Sequence, residues 1–459
     1  MKFYDAIVIG SGQAGTPLCK KLAEAGKKTA LIEKRWVGGT CVNDGCTPTK
    51  AMVASAKAAW LAARCTDLGV TIESFRINMQ QIKARKDGIV KRFREGSIKG
   101  IEETENLDLI YGEATFTSQK TISVKLADGG ELTLQAELIF INTGVTTFIP
   151  DREGSSDIDY LTSTSILDLE EVPEHLLVIG GNYIGLEFGQ MFHRFGSKVS
   201  IIERGPRIIS REDEDISEEL TKILKEEGLN IYTNSTVQKF ERNSSAIDAT
   251  ISAGNDTIKL SCTHVLIAAG RVPQTQALNL EVTGVQVDDK GYIKVNDKLQ
   301  TNIAGIYALG DVKGGPAFTH ISYHDYTIVY RNLFEGADLS AKDRPVPYCM
   351  FTDPQLGRVG LTEEQARQQG YNIKVAKLPM EYVARAIEAG ETRGIMKAVV
   401  DAKTKLILGA AILGEEGGEI MAVLEMAMEG GITYDRIRYC VFAHPTYSES
   451  LNNLFMKIE

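Results

Sequence analysis

Two small groups of residues in this 459-residue chain have the types and spacing to do chemistry. The first is Cys41 and Cys46, five positions apart within Trp36–Lys50 (WVGGTCVNDGCTPTK). A pair this close can cycle between dithiol and disulfide. The second is His444 and Glu449 in Phe442–Glu449 (FAHPTYSE), where a carboxylate orients and polarises an imidazole for general acid/base work. Disulfide chemistry needs a base to make thiolates, which ties the second group to the first. In a regular helix, residues five apart have Cα atoms roughly 8–9 Å apart, whereas a disulfide needs about 4.4–6.8 Å. Cys41 is therefore expected on irregular chain, with Asn43, Asp44 and Gly45 as turn residues. Thr47 and Pro48 read as N-cap and first residue of a helix running to about Arg64, which places Cys46 at a helix N-terminus. There the dipole favours thiolate. The competing readings are inert buried thiols and a zinc site, the latter disfavoured because no second close cysteine pair exists.

The elements that must position these groups show as an internal repeat at an offset of 170 residues, Asp5–Lys34 matching His175–Arg204. Gly10 matches Gly180, Gly15 matches Gly185, Gly26 matches Gly196 and Glu33 matches Glu203. Each copy is an apolar strand, a glycine turn, a helix, a second apolar strand and a terminal acid, the dinucleotide-binding βαβ fingerprint. The glycines allow a tight turn and close approach of a pyrophosphate, and the helix N-terminus faces the phosphates. The acid, 23 residues after the first glycine, can accept from ribose hydroxyls. Gly12 is replaced by Asn182 in the second copy, where left-handed backbone tolerated by Asn is expected to preserve the turn. Further glycine punctuation ends Leu138–Val145, Val265–Val272 and Ile306–Val312. From Pro345 the texture becomes that of an α+β domain, with strands at Ile395–Val400 and Leu406–Leu413 and a helix at Glu419–Glu429.

Length suggests about three domains. Hydrophobic residues at 43% and charged residues at 24% describe a globular chain rather than a disordered one. A net charge of -10 offers no basic surface, so nucleic acid is not an expected partner. No apolar run approaches the roughly 18 residues that span a bilayer, and the stretch after Met1 is too short for a signal peptide. A cytoplasmic protein without a membrane partner is expected. Seven cysteines, an odd number thinly spread, do not form a disulfide framework. Cys440 reads as a small core residue, and His320 and His324, on one helix face, read as ordinary polar positions rather than a metal site. The charge run Arg211–Glu219 reads as a solvated helix start.

Taken in order, GGTCVNDGCTPTK, GGNYIGLE, ALGD and HPTYSE resemble the class I pyridine nucleotide-disulfide oxidoreductases, which include dihydrolipoamide dehydrogenase, glutathione reductase and mercuric reductase. The resemblance spans essentially the whole chain. It implies an α/β fold with two Rossmann-like dinucleotide-binding domains, for FAD and NAD(P), plus a C-terminal α+β dimerisation domain. The division would be 1–150 (FAD domain, first part), 151–273 (NAD(P) domain), 274–343 (FAD and central segment) and 344–459 (dimerisation). It implies that Cys46 contacts the flavin and Cys41 meets substrate. His444 and Glu449 would act across a homodimer on the other subunit's Cys41. Lys50 and Glu187 match a family ion pair near the flavin, and Tyr183 matches an aromatic lid on the nicotinamide pocket. FAD contacts are implied at Gly10, Gly12, Ala14, Gly15, Glu33, Lys34, Gly39, Thr40, Lys50, Ala114, Thr143, Gly144, Arg271, Gly310, Asp311, Ala317, Phe318, Thr319 and His320. Nucleotide contacts are implied at Gly180, Asn182, Tyr183, Ile184, Gly185, Glu203, Val237 and Gly270. Glu203 suits the 2′-hydroxyl of NAD(H) and repels the 2′-phosphate of NADP(H), although Arg204, Arg207 and Arg211 stand close by in sequence.

The segments Phe318–Tyr330 and His444–Phe455 are similar to the mercuric-reductase-like and reactive-chlorine-resistance branch, and Thr47 and Thr49 depart from the Ile and Ser usual in dihydrolipoamide dehydrogenase. The C-terminal vicinal cysteines of mercuric reductases are not found. The expected acceptor is a metal ion of mercuric or copper type, or a small oxidant or disulfide, with no resident metal. The rivals are a dihydrolipoamide dehydrogenase and an NADH-responsive redox sensor.

Overall fold

The apolar stretch at the start of the chain becomes the strand Lys2–Ile9, with Ala6 to Ile9 buried on both faces as a central parallel strand requires. In this computed structural model every residue is described except 244, 245, 255, 343 and 459. The last residue of the expected central segment, 343, thus lies outside the described residues. The chain forms two compact units. The first is Met1–Ala51, Ala84–Phe148 and Gly270–Arg344, and the second is Met52–Lys83, Ile149–Ala269 and Pro345–Glu459.

The first unit is built on a six-stranded sheet. Lys2–Ile9 pairs in parallel with Thr29–Glu33 (Ala6 opposite Thr29) and with Glu131–Ile141 (Ile7 opposite Ile139). Ile306–Ala308 extends it in parallel, Leu107–Ser118 pairs in parallel with Thr29–Glu33, and Thr121–Leu126 runs antiparallel to both Leu107–Ser118 and Glu131–Ile141. The helix Gly15–Glu24 buries Leu18, Cys19 and Leu22 against this sheet's core. Gly10 turns the chain between strand and helix at φ +99°, where a Cβ would lie 2.4 Å from the Asn142 carbonyl oxygen. No other residue type fits there.

The second unit repeats the design. His175–Ile179, Lys198–Ile202, Asn230–Tyr232, His264–Ile267 and Tyr160–Leu161 form an all-parallel sheet, with the helix Tyr183–Phe195 between the first two strands. A three-stranded antiparallel sheet spans Ser235–Arg242, Ile247–Ala253 and Asp256–Cys262. The C-terminal part is a five-stranded antiparallel sheet in which Ile395–Asp401 and Ile407–Gly414 are the expected strands, shifted by at most a residue. The expected helix begins two residues early, as Gly417–Glu429, and buries Ile420, Met421 and Leu424. The fold class is α/β with two Rossmann-like halves and a C-terminal α+β part.

Two expectations fail here. Asn182 is not left-handed: at φ -110°, ψ -176° it is extended, and its Oδ1 accepts from the Tyr183 N–H at 2.9 Å as a helix cap. The acidic run after Arg211 is not wholly solvated. Glu212 and Asp213 are 2% and 7% exposed, because Arg358 reaches Asp213 at 3.0 Å and Lys397 reaches it at 3.3 Å. Those cations lie far downstream in sequence, so local charge patterning did not reveal them.

Candidate active site

Cys41 and Cys46 sit in the first unit on two helices rather than on a helix and irregular chain. Gly39–Asn43 is a helix of barely more than one turn, Asp44 and Gly45 break it, and a new helix begins at Cys46 itself, one residue before the expected cap. The break brings the thiols together by changing direction between them. Gly45 packs on the Thr40 carbonyl, where a Cβ would lie 2.8 Å away. Asn43 pins the short helix: its Nδ2 donates to Gly39 O at 2.8 Å and Val37 O at 3.0 Å, and its Oδ1 accepts from Arg94 Nε at 2.7 Å. Arg94 in turn lies over the Trp36 ring, 4.2 Å from its centroid.

Neither cysteine is in a disulfide; Cys41 is half-buried and Cys46 is exposed to the adjoining cavity. Cys46 Sγ stands 3.3 Å from Thr319 Oγ1. The hydrogen bond with Cys46 pushes the Cys41 thiol well above its ordinary range. Burial and the charge on Cys46 add to the rise, while Thr319 and Lys50 oppose it. A reduced pair in this setting holds one negative charge before Cys41 releases its proton.

The cavity has a volume of about 670 Å³, within the range of cofactor sites. It lies wholly in the first unit. Of the expected FAD contacts, Gly10, Gly12, Glu33, Lys34, Gly39, Thr40, Ala114, Thr143, Gly144, Arg271, Asp311, Ala317, Phe318 and Thr319 line it. Ala14, Gly15, Lys50, Gly310 and His320 do not. Ala14 and Gly15 are buried behind it at the start of the helix, Gly310 is pinned through its N–H to Asp325 at 2.8 Å, and the His320 ring stacks on Phe318. Burial raises the Asp311 carboxyl, opposed by Arg271 and Lys313. Glu33 accepts from the Ser11 N–H (3.0 Å) and hydroxyl (2.7 Å) and from the Arg35 N–H (2.8 Å), which fixes the carboxylate at the cavity wall. An elongated cavity with a glycine turn and helix N-terminus, a fixed acid and two thiols fits a dinucleotide carrying a redox ring.

Sequence reading missed Asn142 and Gln274. Asn142 Nδ2 donates to Gly10 O at 3.2 Å, while Gln274 Nε2 donates to Thr143 O at 2.9 Å and its carbonyl accepts from Thr143 Oγ1 at 2.8 Å. Both stand beside the glycine punctuation at strand ends, which was their available signal.

In the second unit Glu203 repeats the arrangement of Glu33, accepting from Gly181 N at 2.8 Å and Gly205 N at 2.7 Å. Gly180 and Gly185 make the turn as their counterparts do, with φ +115° at Gly180. Ile184 is half-buried on the helix and Val237 is buried on its strand. Gly270 belongs to the first unit, where its carbonyl accepts from Phe148 N at 2.9 Å. Glu187 Oε1 accepts from Phe351 N at 2.8 Å. His444 Nδ1 bonds Glu449 Oε2 at 2.8 Å, and the imidazole side chain is 66% exposed. Among the described residues no group of three or more His, Cys, Asp and Glu stands together as a metal site, and no helix is long and apolar enough to cross a membrane.

Residues 4–325 match the family model for pyridine nucleotide-disulphide oxidoreductases, and residues 346–455 match that family's dimerisation domain. The chain is 38% identical to the probable pyridine nucleotide-disulfide oxidoreductase RclA of Escherichia coli, over the whole of both chains. It is 38% identical to a mercuric reductase of Staphylococcus aureus, over 98% of this chain and 81% of that one. A dihydrolipoyl dehydrogenase of Thermus scotoductus is 35% identical over 98% and 96%. The solved Cu(II) complex of the HOCl-induced flavoprotein disulfide reductase RclA superposes with a TM-score of 0.91, covering 99% of each chain at 38% identity. The chain therefore belongs to the pyridine nucleotide-disulphide oxidoreductase family and is an FAD-dependent oxidoreductase working with a pyridine nucleotide.

Proposed function

We propose that this enzyme takes electrons from NADH and passes them through the Cys41–Cys46 pair to a metal ion of mercuric or copper type or to a small oxidant. The observation that carries the reading is the pair itself, two thiols sharing a cavity wall with the glycine turn and with Thr319, 3.3 Å from Cys46 Sγ. The choice of acceptor is supported by a mercuric reductase among the similar proteins and by the copper complex of RclA. When bound, FAD supplies the two-electron relay between nucleotide and sulfur.

The chain's own residues do the rest. Reduction leaves the negative charge on Cys46 and the proton on Cys41, because Cys46 holds the Cys41 thiol protonated. Cys41 cannot attack an acceptor until a base removes that proton, and His444, oriented by Glu449, is the base. We assign His444 to the Cys41 of the other subunit in a homodimer, which the C-terminal domain match supports. Gly10, Gly12, Glu33, Asp311 and Thr319 hold FAD, and Gly180, Asn182, Tyr183 and Glu203 hold the nucleotide. A carboxylate at Glu203 favours NADH over NADPH. The chain divides functionally at 150, 273 and 343.

Steady-state rates of NADH-driven reduction of Hg(II), Cu(II) and small disulfides, measured beside dihydrolipoamide:NAD turnover, test the reading. Metal or oxidant reduction is expected to dominate. Dominant dihydrolipoamide turnover would overturn it, and slow turnover with every acceptor would favour a sensor.

A further inference from the structure

Three residues on one face of the helix Tyr183–Phe195, at positions i, i+4 and i+7, are tied to the segment Tyr348–Asp353 of the C-terminal part. Glu187 Oε1 accepts from Phe351 N at 2.8 Å. Gln190 accepts from Asp353 N at 2.8 Å and donates to Asp353 O at 2.7 Å. The third tie is indirect. The Tyr183 hydroxyl donates to Glu212 Oε1 at 3.0 Å, and the Tyr348 hydroxyl donates to the same oxygen. The two rings lie 5.5 Å apart at 40°. The Glu212 side chain is fully out of water, and among the described residues its other oxygen has no hydrogen-bond partner, Arg358 Nη1 standing 3.9 Å away and already held by Asp213 at 3.0 Å. Burial and then Glu212 push both phenols up, so both remain donors at neutral pH.

We infer that Glu212 and Tyr348 are positioning residues that latch the Tyr183 ring, so that a strand of the C-terminal sheet sets how readily the nucleotide enters. This rests on Tyr183 being the nicotinamide lid. A lid must release its hydroxyl before it moves, and the cost of release is subtracted from the apparent affinity of whatever the open state binds. A hydrogen bond to a carboxylate is strong enough for that subtraction to reach about tenfold. Two phenols on one oxygen also compete. Removing the Tyr348 hydroxyl leaves Tyr183 as the sole donor and tightens the latch, whereas removing the Tyr183 hydroxyl or the carboxylate charge loosens it.

The test is calorimetric titration of NAD+ into oxidised, FAD-loaded holoenzyme. Tyr183→Phe and Glu212→Gln should lower Kd about tenfold, and Tyr348→Phe should raise it severalfold. Tyr348→Phe should have no effect in the Tyr183→Phe background, since there is no longer a hydroxyl to compete with. An equal effect of Tyr348→Phe in both backgrounds, or no effect in either, would overturn the latch. Should Glu212→Gln fail to retain FAD, the Tyr348→Phe comparison decides alone. Tyr183→Ala separates the two levels of the argument. If it leaves both Kd and the rate of flavin reduction by NADH at wild-type values, the lid reading falls and takes the latch with it. If it changes them while Glu212→Gln and Tyr348→Phe do not, only the latch falls.

Discussion

Cys46 holds the proton on Cys41, and that inequality determines what each thiol can do. The thiol at Cys41 is pushed up by Cys46, by burial and by the charge on Cys46, so its thiolate fraction near neutrality is smaller than that of a free cysteine, whose pKa is about 8.5. In the proposed relay His444, held by Glu449, compensates by supplying the base. His444→Ala is expected to slow the acceptor half-reaction by about a hundredfold or more, with flavin reduction by NADH changed only a few-fold, as rapid-mixing absorbance would resolve. The residual rate should then climb with pH through and beyond about 8.5, since hydroxide alone must deprotonate a raised thiol. Equal losses in both half-reactions would remove His444 from this role. That Cys41 meets Cys46 and His444 meets Glu449 was legible from type and spacing alone. The conformation around Cys41 was not, because Asn43 satisfies the carbonyls of Val37 and Gly39 and is itself held by Arg94, which lies 51 positions along the chain.

At the scale of elements, the two βαβ units were readable because everything that makes them is local: continuous apolar strands, a glycine turn and an acid 23 residues on. What holds the helix Tyr183–Phe195 to the C-terminal sheet was not, because its partners are distant charges. Arg194 meets Glu227 at 2.5 Å and Asp353 at 2.6 Å, all three nearly sealed from water, and lies over the Trp60 ring at 4.5 Å. Burial alone would raise the Asp353 carboxyl, but Arg194, Arg393 and Lys57 together outweigh it and the net shift is downward. A folded-state value below the unfolded value of about 3.9 means the stabilisation is complete above that pH and is lost as pH falls through the depressed folded value. Asp353→Asn should cost about 3–5 kcal/mol, because it leaves Arg194 short of a buried partner. Thermal unfolding of holoenzyme near pH 7 should show a clearly lowered Tm, and the gap to wild type should shrink below about pH 4. An unchanged Tm would show the knot to be dispensable.

For the whole molecule, the proposed division of one site between two subunits has a consequence that mixing experiments read directly. Tyr439 and Val441, just before the His444 segment, are 74% and 95% exposed, as a surface awaiting a second copy would be. Cys41→Ser and His444→Ala homodimers should each be inactive toward the acceptor. Unfolded and refolded together, they should regain about a quarter of wild-type activity, because half of the dimers then carry one intact site. No recovery, with mixed dimers demonstrated by mass, would place both groups in one subunit's site. The acceptor and the proposed two-subunit pocket were the parts least legible in the sequence, since a pocket lined by two chains would have no local pattern in either. The relay through sulfur is tested most directly by anaerobic titration of the holoenzyme with NADH, followed by absorbance. A long-wavelength band should appear at two electrons per FAD, from the Cys46 thiolate beside the oxidised flavin, and should be missing in Cys46→Ser. Wild-type enzyme that bleaches straight through that point with no such band would contradict the account.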